Sequence, residues 1–195
     1  MDSDGYLSQL AGIFDGITVL TPSISAIIAI VLAGVLLLAS GFASASEIAF
    51  FSLSPSDRND IDERNHPSDE KISALLGDSE RLLATILITN NFVNVTIIML
   101  CNFFFMNVFI FHSPLAEFLI LTVILTFLLL LFGEIMPKIY SAQKTLAFCR
   151  FSAPGIYALE KVFYPIASVL VRSTTFLNKH FAKKNHNISV DELSH

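Results

Sequence analysis

Three stretches of this chain carry no charged residue: Gly16 to Ser46, Leu82 to Ala116 and Phe118 to Gly133. A helix needs ~20 predominantly apolar residues to cross about 30 Å of hydrocarbon, so the first two qualify outright. The second is too long for one perpendicular helix and is expected to contain a span and an exit loop near His112, Ser113 and Pro114. The third reaches spanning length if Glu117 and the GEIMP segment count as its ends. Composition agrees, because 53% of the 195 residues are hydrophobic and 15% charged, whereas a soluble domain carries roughly 25% charged residues. The expected fold is an all-α membrane protein with three transmembrane helices, at about 20–50, 82–111 and 115–137.

The twelve Lys and Arg residues orient these spans. Arg58, Arg64, Lys71 and Arg81 fall between the first two, the other eight run from Lys138 to Lys184, and none precedes the first span or separates the second from the third. The positive-inside rule then places the N-terminus outside and the C-terminus in the cytoplasm of a multi-pass inner (plasma) membrane protein. The first stretch, with no basic residue ahead of it, is not a cleaved signal peptide. The polar segment between the first two spans is expected to form two short cytoplasmic helices, with Ser56 and Ser68 as N-caps.

Residues 151 to 171 form a fourth apolar stretch, but Glu160 and Lys161 sit at its middle. Each would cost ~2.5–3.5 kcal/mol in a spanning helix. A juxtamembrane helix at about 151–175, lying in the inner interface with Tyr157 and Tyr164 as anchors and a kink at Pro165, is therefore expected.

Polar residues inside the spans point to function by default. In the first, Ser40 and Ser44 share a helix face, with Glu47 three residues further on. In the second, Asn90 and Asn94 have the same spacing, while Asn91 points elsewhere. The third ends in FGEIMPK, carrying Glu134. Pro137 has no N–H for the carbonyl of Gly133, so the helix should be kinked or locally unwound there, offering a backbone oxygen beside a carboxylate. These are hard oxygen donors without Cys or His, a set suited to Mg²⁺, Ca²⁺ or Na⁺ rather than zinc or copper. Close helix packing could equally explain the serines, and interhelical hydrogen bonding the asparagines. Cys101 and Cys149 form neither a disulfide framework nor a metal pair, and the five histidines are scattered and assigned no role. The acidic net charge of −5 gives no footprint for nucleic acid. With no Walker, HExxH or GxSxG motif, no enzyme is expected.

SGFASASEIAFFSL, ITNNFVNV and FGEIMPK, in this order and spacing, resemble the DUF21 membrane domain of the CorB/CorC and CNNM (cyclin M) magnesium transporters. The resemblance implies a homodimeric bacterial domain of residues 1–182 in which a largely dehydrated Mg²⁺ is bound between the three spans. Its ligands would come from Ser40, Ser44, Asn90, Asn94, Gly133 and Glu134, with Glu47 and Asn91 as further candidates and Pro137 as the helix break. It also implies Mg²⁺ export, with Na⁺ entry as a driving force, and a linker at 183–195 leading to an ATP-binding pair of CBS domains absent from this sequence. Two differences stand out: the sequence stops before those domains, and Thr89 precedes Asn90 where relatives often have Gly. The sequence is also similar to the gliding-motility branch of this family, whose implied alternative is a membrane scaffold without transport.

Overall fold

The computed structural model describes residues 18–110 and 113–191, and side chains as far as Ser173 except that of Ala116. His112 and His195 lie outside the described residues, as do the side chains of His180 and His186 and the last part of the expected linker. In order, the elements are β1 (Thr18–Val19), α1 (Ile24–Phe51), α2 (Pro55–Asp62), α3 (Asp69–Leu76), α4 (Ser79–Val108), β2 (Phe109–Ile110), α5 (Pro114–Leu128), a π-helical segment (Leu129–Ile135), α6 (Met136–Gln143) and α7 (Thr145–Asp191). The described residues are all-α apart from the antiparallel β1–β2 pair, in which Thr18 faces Ile110 and Val19 faces Phe109. Among them, three helical stretches, Ile24–Phe51, Ser79–Val108 and Glu117–Gln143, are long and apolar enough to cross a membrane.

By internal contacts the chain divides into two units, one of residues 1–48 and 90–143, the other of residues 49–89 and 144–195. In the first, α1 turns a seam of small residues inward. Ala26, Ala29, Ala33, Ser40, Ala43 and Ser44 are buried, while Val31, Val35 and Leu38 stay exposed. Small side chains let helix backbones approach closely where lipid supplies no hydrophobic driving force. Ala33 packs in a cluster with Val93, Ile97 and Cys101 of α4 and Leu125 of α5.

In the second unit, Ser54 rather than Ser56 caps α2. Its hydroxyl accepts from the Asp57 amide at 3.1 Å, and the Asp57 carboxylate accepts from the Ser54 amide at 2.9 Å. This is a reciprocal capping box, with Pro55 at the first helical position where a missing N–H costs nothing. Ser54→Ala is expected to lower stability by about 1 kcal/mol, read as a shift in the unfolding midpoint in detergent. Ser68 precedes α3 as expected but makes no side-chain cap. Asp69, the first helical residue, instead reaches back to the preceding loop, its carboxylate accepting from the His66 amide at 2.9 Å. His66, given no role from sequence, accepts the Ser68 N–H on Nδ1 at 3.1 Å.

Asp69 is fully buried. It is held by Arg150 of α7 in a two-pronged pair, Nε to Oδ1 at 2.8 Å and Nη2 to Oδ2 at 3.0 Å. Burial alone would raise the Asp69 carboxyl, but the Arg150 hydrogen bonds and charge, with the His66 contacts, hold it below the ordinary carboxylate value. Next to Arg150, burial pushes the Cys149 thiol up to about 12, against the opposing charge of Arg150. Helix α7 passes through both Pro154 and Pro165 and is longer than the expected 151–175. Its tyrosines carry cations, with the Arg81 guanidinium 4.7 Å from the Tyr164 ring centre and the Lys161 ammonium 4.6 Å from that of Tyr157.

Candidate metal centre

Ser40, Asn90 and Asn94 meet. The Ser40 hydroxyl oxygen lies 2.8 Å from Asn90 Oδ1 and 2.7 Å from Asn94 Oδ1. The four-residue spacing of the asparagines places both amides on the face of α4 that meets α1, while Asn91 is exposed and takes no part. A serine hydroxyl has a single proton, so it can donate to only one of the two amide oxygens at a time. Three oxygens thus converge with fewer protons than acceptors, which is the arrangement a cation relieves. One turn further along α1, Ser44 Oγ is buried and has no hydrogen-bond partner among the described residues.

Gly133 brings the third span close to this group: a Cβ at that position would stand 3.1 Å from Ser40 Oγ and 3.5 Å from Leu37 Cδ1, so a side chain there would crowd the hydroxyl. Glu134 follows, half-buried, and forms no ion pair among the described residues. No group of three His, Cys, Asp or Glu side chains that could hold a metal occurs among the described residues. Any cation here would be bound chiefly by neutral oxygens.

The local unwinding expected at Pro137 takes a particular form. The helix does not part. It widens into a π-helical segment, Leu129–Ile135, in which the Met136 N–H reaches back five residues to the Leu131 carbonyl. Under this i→i+5 pairing, the carbonyl facing the missing N–H of Pro137 is that of Phe132, one residue before the expected Gly133. Both groups lie against Gly41 of α1. A Cβ on Gly41 would fall 2.9 Å from Pro137 Cγ and 3.3 Å from the Phe132 oxygen. Beyond the π segment, Ser141 Oγ donates to the Ala45 carbonyl at 2.6 Å, and Lys138 Nζ pairs with Glu47 Oε2 at 3.1 Å. Glu47 is therefore engaged by a lysine instead of pointing freely at the Ser40 group.

Sequence reading does not connect Gly41, Lys138 or Ser141 with the partners they meet. The SGFAS string and the lysine directly after Pro137 are the available signals, but neither states which helix it faces. A groove of about 430 Å³ between α4 and α5, lined by residues including Asn102, Glu117, Thr122 and Leu125, shares no residue with the Ser40 group.

A helical domain with three apolar spans, a π-wound third span and polar oxygens meeting between the first two belongs to the class of multi-pass membrane proteins. The particular family follows from comparison: residues 20–195 match the cyclin M transmembrane N-terminal domain, and the chain belongs to that family. It is also similar to a "UPF0053 protein" of Haemophilus influenzae, with 32% identity over 130 residues, covering 67% of this chain and 30% of that relative. The chain spans less than a third of the length of the curated relative it matches.

Proposed function

We propose that this domain binds Mg²⁺ between its three spans and carries it outward across a bacterial inner membrane, with Na⁺ entry as the driving force, as part of a homodimer whose C-terminal side is cytoplasmic. The observation that carries this reading is the meeting of Ser40 Oγ, Asn90 Oδ1 and Asn94 Oδ1 within 2.7–2.8 Å, beside the unpartnered Ser44 hydroxyl. The donor set fits the ion. Mg²⁺ takes hard oxygens at about 2.0–2.1 Å and dehydrates reluctantly, so it needs several preplaced oxygens to replace its water. Glu134 supplies negative charge at the same level of the third span. The π segment supplies a place where the helix can change its winding, and π-bulges occur frequently at functional sites. In this reading the domain is no enzyme, and ATP belongs to the CBS pair expected beyond it.

The test is Mg²⁺ binding by calorimetry on the purified domain, with Asn94→Ala and Glu134→Ala as variants. Each is expected to weaken binding at least tenfold, because one missing oxygen or the missing charge must be replaced by water. Unaltered binding in both variants would remove the site. A domain whose melting temperature is indifferent to millimolar Mg²⁺ and which passes no ion would instead be a scaffold.

A further inference from the structure

The site just proposed leaves one cation of the protein's own unexplained. Lys138 reaches Glu47 with a 3.1 Å contact in which the two side chains remain 33% and 36% exposed. Glu47 stands on the α1 face of Ser40 and Ser44, seven and three residues beyond them, which at 100° per residue keeps it within about 60° of both. Lys138 is delivered by a fixed piece of backbone, since the Pro137 ring before it rests on Gly41 and Ser141 bonds α1 one turn later.

As a structural brace the pair is weak. An ion pair about one-third exposed contributes little to stability, and the packing of Gly41 on Pro137 already holds the same two helices together. What the pair does alter is charge. It places a compact, unit-positive ammonium on a flexible stem against the carboxylate that lies at the end of the serine row, in a pair the protein leaves partly uncovered.

We propose that Lys138 is a tethered competitor for the transported cation: its ammonium holds Glu47, and a divalent ion entering beside Ser44 displaces it and takes over the carboxylate. The ammonium is monovalent and covalently retained, so it weakens cation binding without leaving the protein. Lys138 lies three residues beyond the π segment, so its release removes one of the contacts by which α6 meets α1 and leaves those of Pro137 and Ser141 in place.

This inference rests on the cation site proposed above, and the experiment separates the two. Mg²⁺ affinity is measured by calorimetry for the wild type, Lys138→Gln, Lys138→Arg and the double variant Glu47→Gln/Lys138→Gln. Lys138→Gln is expected to bind Mg²⁺ about tenfold more tightly than the wild type, a gain that a merely structural loss does not produce. Lys138→Arg keeps a cation in place and should stay within about threefold of the wild type. In the Glu47→Gln background, removing the lysine should change affinity by less than about twofold. Lys138→Met, which preserves the apolar stem, replaces Lys138→Gln if that variant fails to fold. Wild-type binding with unchanged or weaker binding in both neutral variants overturns the competitor and leaves the site standing. Binding absent from every variant overturns both.

Discussion

Replacing Arg150 by methionine is expected to destabilise the protein by about 3–5 kcal/mol, the cost of leaving a buried charge without its partner. The asymmetry of the pair decides which partner matters more. Asp69 is fully buried, whereas Arg150 keeps 23% of its side chain exposed, so an orphaned arginine can turn to water and an orphaned aspartate cannot. Asp69→Asn should accordingly cost less than Arg150→Met. Cys149 offers the readout, since its thiol is buried and burial makes it unreactive. With Cys101 replaced by Ala, maleimide labelling of Cys149 should accelerate more than a hundredfold in Arg150→Met, at about 1.4 kcal/mol per factor of ten.

The pH dependence of the same variant has a definite sign. In the wild type the Asp69 carboxyl lies below its ordinary value, so its stabilising contribution is present above about pH 4 and is lost as pH falls through the lower folded value. Without Arg150, burial is opposed only by the His66 contacts, and the folded carboxyl is expected to rise above its unfolded value. Arg150→Met should then be most destabilised at neutral pH and recover part of the loss on acidification, the reverse of the wild-type trend. Unfolding midpoints between about pH 4 and 8 check this.

Gly41→Ala should cost about 1–3 kcal/mol through overpacking, although alanine is the better helix former. The added methyl would meet Pro137 Cγ at 2.9 Å and the Phe132 carbonyl at 3.3 Å, and neither a proline ring nor a backbone oxygen can rotate aside. At Gly34 in the same helix, an added methyl would meet nothing within 4 Å. Gly34→Ala should therefore stabilise the helix by roughly 0.5–1 kcal/mol. Opposite signs for two glycines seven residues apart would separate helix propensity from contact, and thermal unfolding in detergent measures both. If Gly41 positions the third span for binding, its variant should also lose any Mg²⁺-dependent rise in melting temperature.

What the sequence displays and what it conceals divide along physical lines. Hydropathy is a property of one segment at a time, so the three long apolar helices are visible in it, as is the shared face of Asn90 and Asn94. Pro137 announces a disturbance because its chemistry is local. The form of that disturbance is hidden, because a widened turn and a break answer the same missing N–H, and the choice depends on Gly41 across the helix pair. The Asp69–Arg150 pair joins residues 81 apart, and no periodicity connects them. Glu47 and Lys138 each stand out for charge but not as partners. The Ser54–Asp57 box escapes a sequence reading because Asp stands where the usual pattern has Glu or Gln.

The π segment has a geometric consequence for everything after it. Five-residue pairing amounts to one surplus residue threaded into the rod, which rotates the following side chains by about 100° relative to an uninterrupted α-helix. Lys138 meets Glu47 and Ser141 meets Ala45 only with that offset in place. Deleting a single residue between Leu129 and Ile135 would take up the slack and swing both away. The third rod thus carries its own indexing notch, a stretch wound wider than the turns on either side of it.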